Sequence, residues 1–105
     1  MHYKLKEINS REIIPGYHGK LIHAQHLSLA FWEVEEGAEV PMHAHSNEQV
    51  MQVLEGQFQF TVGNVKRIYG PGELVVIPPD TEHGGMALTP CKLMDVFSPV
   101  REEYK

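Results

Sequence analysis

Three imidazoles and one amide fall into two short blocks of this sequence, His43-Ala44-His45-Ser46-Asn47-Glu48-Gln49 and Pro78-Pro79-Asp80-Thr81-Glu82-His83. Imidazole is the commonest protein ligand for divalent transition metals, and side chains two apart on an extended strand point to the same face, so His43 and His45 can grip one ion together. Two ligands on a helix would sit three or four apart, so the spacing predicts strand. With Gln49 and His83 the set offers three nitrogens and one oxygen, which leaves one or two coordination positions for water or substrate. That is a catalytic pattern, because structural zinc sites are usually closed by several cysteines and this chain has only Cys91. Singly, each histidine reads as a surface or hydrogen-bonded residue, whereas the set reads as a metal site. His2, His18, His23 and His26 lack that spacing and read as surface or strand positions.

The elements that must carry these residues are strands. Alternation recurs in Leu27, Leu29 and Phe31 against Ser28, Ala30 and Trp32, and in Phe58, Phe60 and Val62 against Gln57, Gln59 and Thr61. Gly and Pro punctuate the chain at intervals typical of a sandwich or barrel, which predicts about eight to ten short strands. Leu74 to Ile77 is a continuous apolar run, as expected of a strand buried on both faces. Arg101 to Lys105 reads as a polar tail. Continuing from Gln49, the residues on its face are Met51 and Val53, with Val50, Gln52 and Leu54 opposite. Asp95 likewise shares a face with Leu93 and Phe97, and a carboxylate among them predicts a cavity wall with a polar task.

Length and charge set the remaining bounds. The 105 residues make one domain, long enough to bury roughly 60 to 70 per cent of its unfolded surface. A net charge of -5 disfavours nucleic acid or an anionic membrane as partner, since both select clustered Lys and Arg. The start, Met1 to Ile8, carries charges where a signal peptide needs an apolar run, and no stretch reaches membrane-spanning length, so a cytoplasmic location is expected. Cys91, being single, forms no intrachain disulfide and reads as a packing residue. An apolar outer sheet face at Val50 and Leu54, together with exposed strand edges, predicts a homodimer.

The two blocks resemble the motifs of the cupins, small all-β barrels of the double-stranded β-helix or jelly-roll type. The first motif, within 37–56, runs Gly37, five residues, His43-x-His45, three residues, Gln49, six residues, Gly56. The second, within 72–87, runs Gly72, five residues, Pro78-x-Asp80, two residues, His83. The resemblance implies a single domain over residues 1–105. Three positions depart from the usual pattern: Gln49 stands where Glu is commonest, Asp80 where Gly is usual and Ala87 where Asn often ends the motif. A neutral Gln49 leaves the metal more positive, which favours an anionic substrate and Lewis-acid work. Glu48 is an alternative ligand, but it points to the opposite face of a regular strand.

Within that family the chain looks like the small cupins of pectin and alginate breakdown that convert 4,5-unsaturated uronates to linear keto forms. The likeness lies in the His-x-His-x-x-Glu-Gln block and in the closing Asp95-Val-Phe97-Ser-Pro-Val-Arg101-Glu-Glu-Tyr segment. It implies that His43, His45, Gln49 and His83 hold one divalent ion, of Zn, Ni, Fe, Mn or Co, and that Asp95, Phe97 and Arg101 line the substrate pocket. Arg101 could then clasp the carboxylate of a small anionic sugar, and Asp95 could move the protons of an isomerase- or lyase-type reaction. Read from the residues alone, Arg101 is a solvated tail residue or an ion-pair partner of Glu102 or Glu103, and Asp95 is equally a buried carboxylate met by backbone donors. Two other classes stay open, another metal-dependent enzyme such as a dioxygenase or sugar isomerase, and a sugar-binding cupin without turnover.

Overall fold

The period-two patterning becomes ten strands in a computed structural model of the chain, which describes residues 1–105. They are β1 Arg11–Ile14, β2 Tyr17–His23, β3 Ser28–Val34, β4 Glu39–His43, β5 Glu48–Glu55, β6 Phe58–Val62, β7 Val65–Tyr69, β8 Leu74–Ile77, β9 His83–Ala87 and β10 Cys91–Ser98. Helix is confined to two 3-10 turns, Leu5–Glu7 and Glu102–Tyr104, and no helix is long and apolar enough to cross a membrane. The strands form a six-stranded sheet, β1-β2-β3-β10-β5-β8, and a four-stranded sheet, β4-β9-β6-β7, with antiparallel pairing throughout. This is the all-β, two-sheet jelly-roll architecture expected.

Register explains how polar groups come to share the interior. Across β3, β10 and β5 the inward residues stack in cross-strand layers, Trp32 with Leu93 and Val53, Ala30 with Asp95 and Met51, and Ser28 with Phe97 and Gln49. Asp95 therefore lies diagonally from both Trp32 and Gln49, within reach of long side chains two positions along neighbouring strands. Phe58, Phe60, Ala87 and His83 close the interior from the facing sheet. On β3 it is Ser28, Ala30, Trp32 and Val34 that point inward, while Leu29 and Phe31 are half-buried on the outside.

Two expectations are corrected. Leu74 to Ile77 is not buried on both faces: β8 is an edge strand whose Ile77 is fully buried while Leu74 and Val76 are 55% and 53% exposed. Its outward residues continue two cross-strand rows, Leu29–Val96–Val50–Val76 and Phe31–Met94–Gln52–Leu74, so the apolar run marks an exposed sheet face. Nor is the closing segment wholly a solvated tail: Glu102, Glu103 and Lys105 are exposed, but Arg101 and Tyr104 turn inward. Arg101 is 5% exposed, its amide donates to the Ser28 hydroxyl at 2.8 Å, and Tyr104 packs edge-on against Trp32 and Phe97. Aromatic burial and a stacked guanidinium outweigh the polar composition that the sequence displays.

Gly84 and Gly85 let β9 thread between β4 and β6. A Cβ at Gly85 would lie 2.4 Å from the Gln59 carbonyl oxygen, and one at Gly84 would lie 2.7 Å from that of Val40. Both obstructions are backbone, so the strand itself would have to shift. Gly85→Ala is expected to cost about 1 to 3 kcal/mol by overpacking. Urea unfolding followed by circular dichroism checks this, and an unchanged midpoint would contradict the close packing of the strands.

Candidate metal centre

His43 and His83 are direct cross-strand partners of β4 and β9, and the register slips between Val40 and His43, beside Pro41. A proline has no N–H for the ladder, so an irregularity there is expected, and it re-aims the side chain that follows. His45 stands just beyond the end of β4, so the extended strand expected to carry both residues holds only His43. Its loop is tied across the barrel mouth by the Asp80 amide, which donates to the His45 carbonyl at 2.8 Å. Asp80 has φ 60°, a left-handed conformation that Asp tolerates better than most residues, which accounts for an aspartate where Gly is usual. Buried Asn47 donates to the Pro99 carbonyl at 2.6 Å and joins this loop to the last turn.

The ligating atoms of His43, His45 and His83 lie within 4.8 Å of one another. Each ring contacts a nearby backbone carbonyl through Nδ1: His43 with Pro41 at 2.9 Å, His45 with Asn47 at 3.0 Å and His83 with Thr81 at 2.8 Å. A carbonyl only accepts, so each Nδ1 carries the proton and each Nε2 presents a lone pair. Gln49 is fixed by the same logic. Its Nε2 donates to Asp95 Oδ1 at 2.9 Å, which leaves Oε1 facing His45 Nε2 at 3.1 Å. Two lone-pair atoms then confront each other, while His83 Nε2 is buried with no hydrogen-bond partner. Together these atoms form a donor set that one divalent transition metal fits, with backbone carbonyls orienting the rings from behind. Glu48 faces the other side of β5 and is exposed.

Asp95 lies 7% exposed on the same wall, with Oδ2 accepting from Trp32 Nε1 at 2.9 Å and Oδ1 from Gln49. Burial pushes its pKa up to about 6 against the opposing effects of the Gln49 and Trp32 hydrogen bonds and the Arg101 charge. Its partners are thus side chains, not the backbone donors that a purely structural reading supposes. Burial acts oppositely on imidazoles, lowering His83 to about 4 and also depressing His45. Phe97 lines the cavity 5.8 Å from the His45 ring. Arg101 does not line it: the guanidinium lies against Phe97 and Tyr104 with Nη1 paired to Glu103. Trp32 and Tyr104 are cavity residues that the sequence reading passed over. Trp32 alternates in phase with Ala30 and could have been found from its strand, but nothing in the local pattern marks Tyr104.

Residues 30–97 match the cupin domain family. The structure of KdgF from Halomonas sp. superposes with a TM-score of 0.94 at 29% identity, covering 100% of both chains. An RmlC-like cupin from Shewanella frigidimarina gives 0.94 at 29%, covering 100% of this chain and 96% of the other. Oxalate decarboxylase from Bacillus subtilis is similar in fold alone, with a TM-score of 0.82 at 16% identity over 92% of this chain and 29% of that one. No curated protein sequence matches.

Replacing His83 by Ala is expected to weaken metal binding about 10- to 100-fold or more. Equilibrium dialysis against Zn or Ni, with circular dichroism to confirm folding, checks it, and an unchanged dissociation constant would contradict His83 as a ligand. Acid is the second test. The folded pKa of His83 lies below its unfolded value of 6.5, so protonation destabilises the metal-free fold progressively from about pH 6.5 towards 4. Protons compete with the metal for folded His83 only as the pH nears its folded value of about 4, so bound metal should leave around and below pH 4, and full retention at about pH 3 would count against imidazole ligation.

Proposed function

The chain belongs to the cupin family, and on that premise we propose that it is a metal-dependent enzyme that opens 4,5-unsaturated uronates and converts them to linear keto acids. The observation that carries this reading is Asp95, a buried carboxylate held by Trp32 and Gln49 on the wall that also presents three imidazole lone pairs and the Gln49 oxygen. Two supports add to it. The closing segment from Asp95 to Tyr104 resembles that of the uronate cupins, and the KdgF structure matches over the whole chain.

The reaction is an isomerisation and needs no co-reactant. The bond between C1 and the ring oxygen breaks, C1 becomes an aldehyde, and the C4–C5 enol becomes a ketone as C4 takes a proton. One proton leaves the anomeric hydroxyl and one arrives at C4, so a single carboxyl that accepts and returns a proton balances the chemistry. Burial raises the Asp95 pKa to about 6, towards the range that suits a group both taking and returning a proton. Trp32 and Gln49 hold the carboxylate from two sides and fix where its free lone pairs point. Phe97 and the other apolar walls exclude water from the enol. Held by His43, His45, Gln49 and His83, a divalent metal would supply Lewis acidity towards the carboxylate and ring oxygens of the sugar. Arg101, which does not line the cavity and is paired with Glu103, would add positive charge for an anionic substrate once that pair opens.

We further propose that two copies associate through the outer face of the six-stranded sheet. Leu54, Leu74 and Val76 are exposed there beside half-buried Leu29, Phe31 and Val50, and a second copy removes this surface from water and covers the β8 edge. The compartment proposed is the cytoplasm, where Cys91 stays a reduced, buried packing residue.

Loss of the alkene proton of unsaturated galacturonate, followed by NMR with metal-loaded protein, is expected to be accelerated by wild type and reduced at least about 100-fold in Asp95→Asn. No acceleration by folded, metal-loaded wild type would move the protein to other metal-dependent chemistry or to sugar binding. Light scattering after size exclusion is expected to give a dimer mass, and Val76→Glu a monomer. A monomeric wild type would contradict the assembly.

A further inference from the structure

The cavity in front of the imidazoles has a volume of about 50 Å3. A cavity of roughly 150 Å3 is what holds a benzene ring, and a six-carbon sugar acid is larger. The cavity is open at its mouth, so such a sugar reaches in only partway as the walls stand, and for it to sit wholly inside a wall must move. Every lining side chain except His45 and Tyr104 stands on a strand hydrogen-bonded into one of the sheets. His45 is anchored through its ring and its carbonyl, as described. Tyr104 rides on the turn Glu102–Tyr104, which has no fully buried residue and pairs with no strand. What holds it is its packing on Trp32 at 5.8 Å and Phe97 at 5.6 Å, the Arg11 guanidinium on its carbonyl, and the Arg101–Glu103 pair.

Behind the ring lies a second observation. Arg101 is buried, its Nε has no hydrogen-bond partner, and its guanidinium carbon sits 4.7 Å from the Tyr104 centroid and 5.5 Å from that of Phe97. The two rings screen a buried cation from the cavity. Its one carboxylate partner, Glu103, is 65% exposed, so that carboxylate can return to water at little cost.

We propose that Tyr104 is the gate of this site: its ring leaves the cavity as a sugar acid enters, and the substrate carboxylate replaces that of Glu103 on Arg101. The inference rests on the uronate reading and deepens it, because it makes the gate select acids over neutral sugars. Closed, the turn shields the cavity. Open, it uncovers a guanidinium with an unused donor, suited to a bidentate carboxylate.

The test uses metal-loaded protein and three probes, D-galacturonate, galactose and acetate, the last being small enough for the closed cavity. Trp32, the chain's single tryptophan, lines the cavity beside the Tyr104 ring, so stopped-flow fluorescence follows ligand entry in wild type and variants alike. Wild type is expected to bind galacturonate at least tenfold tighter than galactose. Tyr104→Ala should raise the association rate of galacturonate at least tenfold and leave that of acetate within twofold, while Glu103→Gln should tighten galacturonate several-fold. Tyr104→Phe keeps the ring and should behave as wild type, which separates gating from misfolding. An unchanged galacturonate rate in Tyr104→Ala would overturn the gate. So would a loss of affinity there as large as in Arg101→Met, or a wild type that binds acetate but no galacturonate. The two readings fail separately: the expected pattern without conversion of unsaturated uronate defeats the reaction alone, and conversion without the pattern defeats the gate alone.

Discussion

Three backbone carbonyls, those of Pro41, Asn47 and Thr81, set the chemistry of this protein. Each takes the Nδ1 proton of a histidine two residues away in sequence and so aims an Nε2 lone pair at the others. The local backbone does this before any metal binds, which spares the site much of the ordering that ligation otherwise requires. The rest of the architecture serves that convergence. The β4 irregularity turns His43, the Asp80 amide ties down the His45 loop, and Gly84 and Gly85 bring β9 close enough to place His83 opposite His43.

Gln49 shows why its identity matters beyond charge at the metal. Its amide does two jobs at once, an oxygen towards His45 and an N–H towards Asp95. A glutamate at this position would set two carboxylates against each other in a buried place and remove one of the two donors that Asp95 has. The amide therefore couples the proposed ligand set to the carboxyl proposed to transfer the proton. The neighbouring layers complete the arrangement, with Ala30 beside Asp95 leaving room for the Trp32 indole to reach it.

Much of this was legible in the sequence because it is written in short-range patterns. The turn punctuation and the alternation around Gln49 and Asp95 translate directly into strands, faces and a shared interior, whereas His43 and His45 converge with only His43 on a strand. What escaped depended on long-range partners. Leu74 to Ile77 has the composition of a doubly buried strand, and only the sheet order reveals that β8 is an edge with one face uncovered. Arg101 and Tyr104 sit in a segment that composition alone marks as solvated, yet Ser28, Phe97 and Trp32, distant in sequence, draw it into the core. Pocket residues supplied by such contacts have no local signature.

The fold itself, without metal, holds all three imidazoles as Nδ1–H tautomers with Nε2 directed into one cavity. Long-range nitrogen–proton NMR correlation on metal-free protein near pH 7 reads each tautomer directly. A pyridine-like Nε2 is expected for His43, His45 and His83, all shifting together when one equivalent of Zn is added. A protonated Nε2 on any of the three in the metal-free protein, or a shift confined to one ring on titration, would contradict that arrangement.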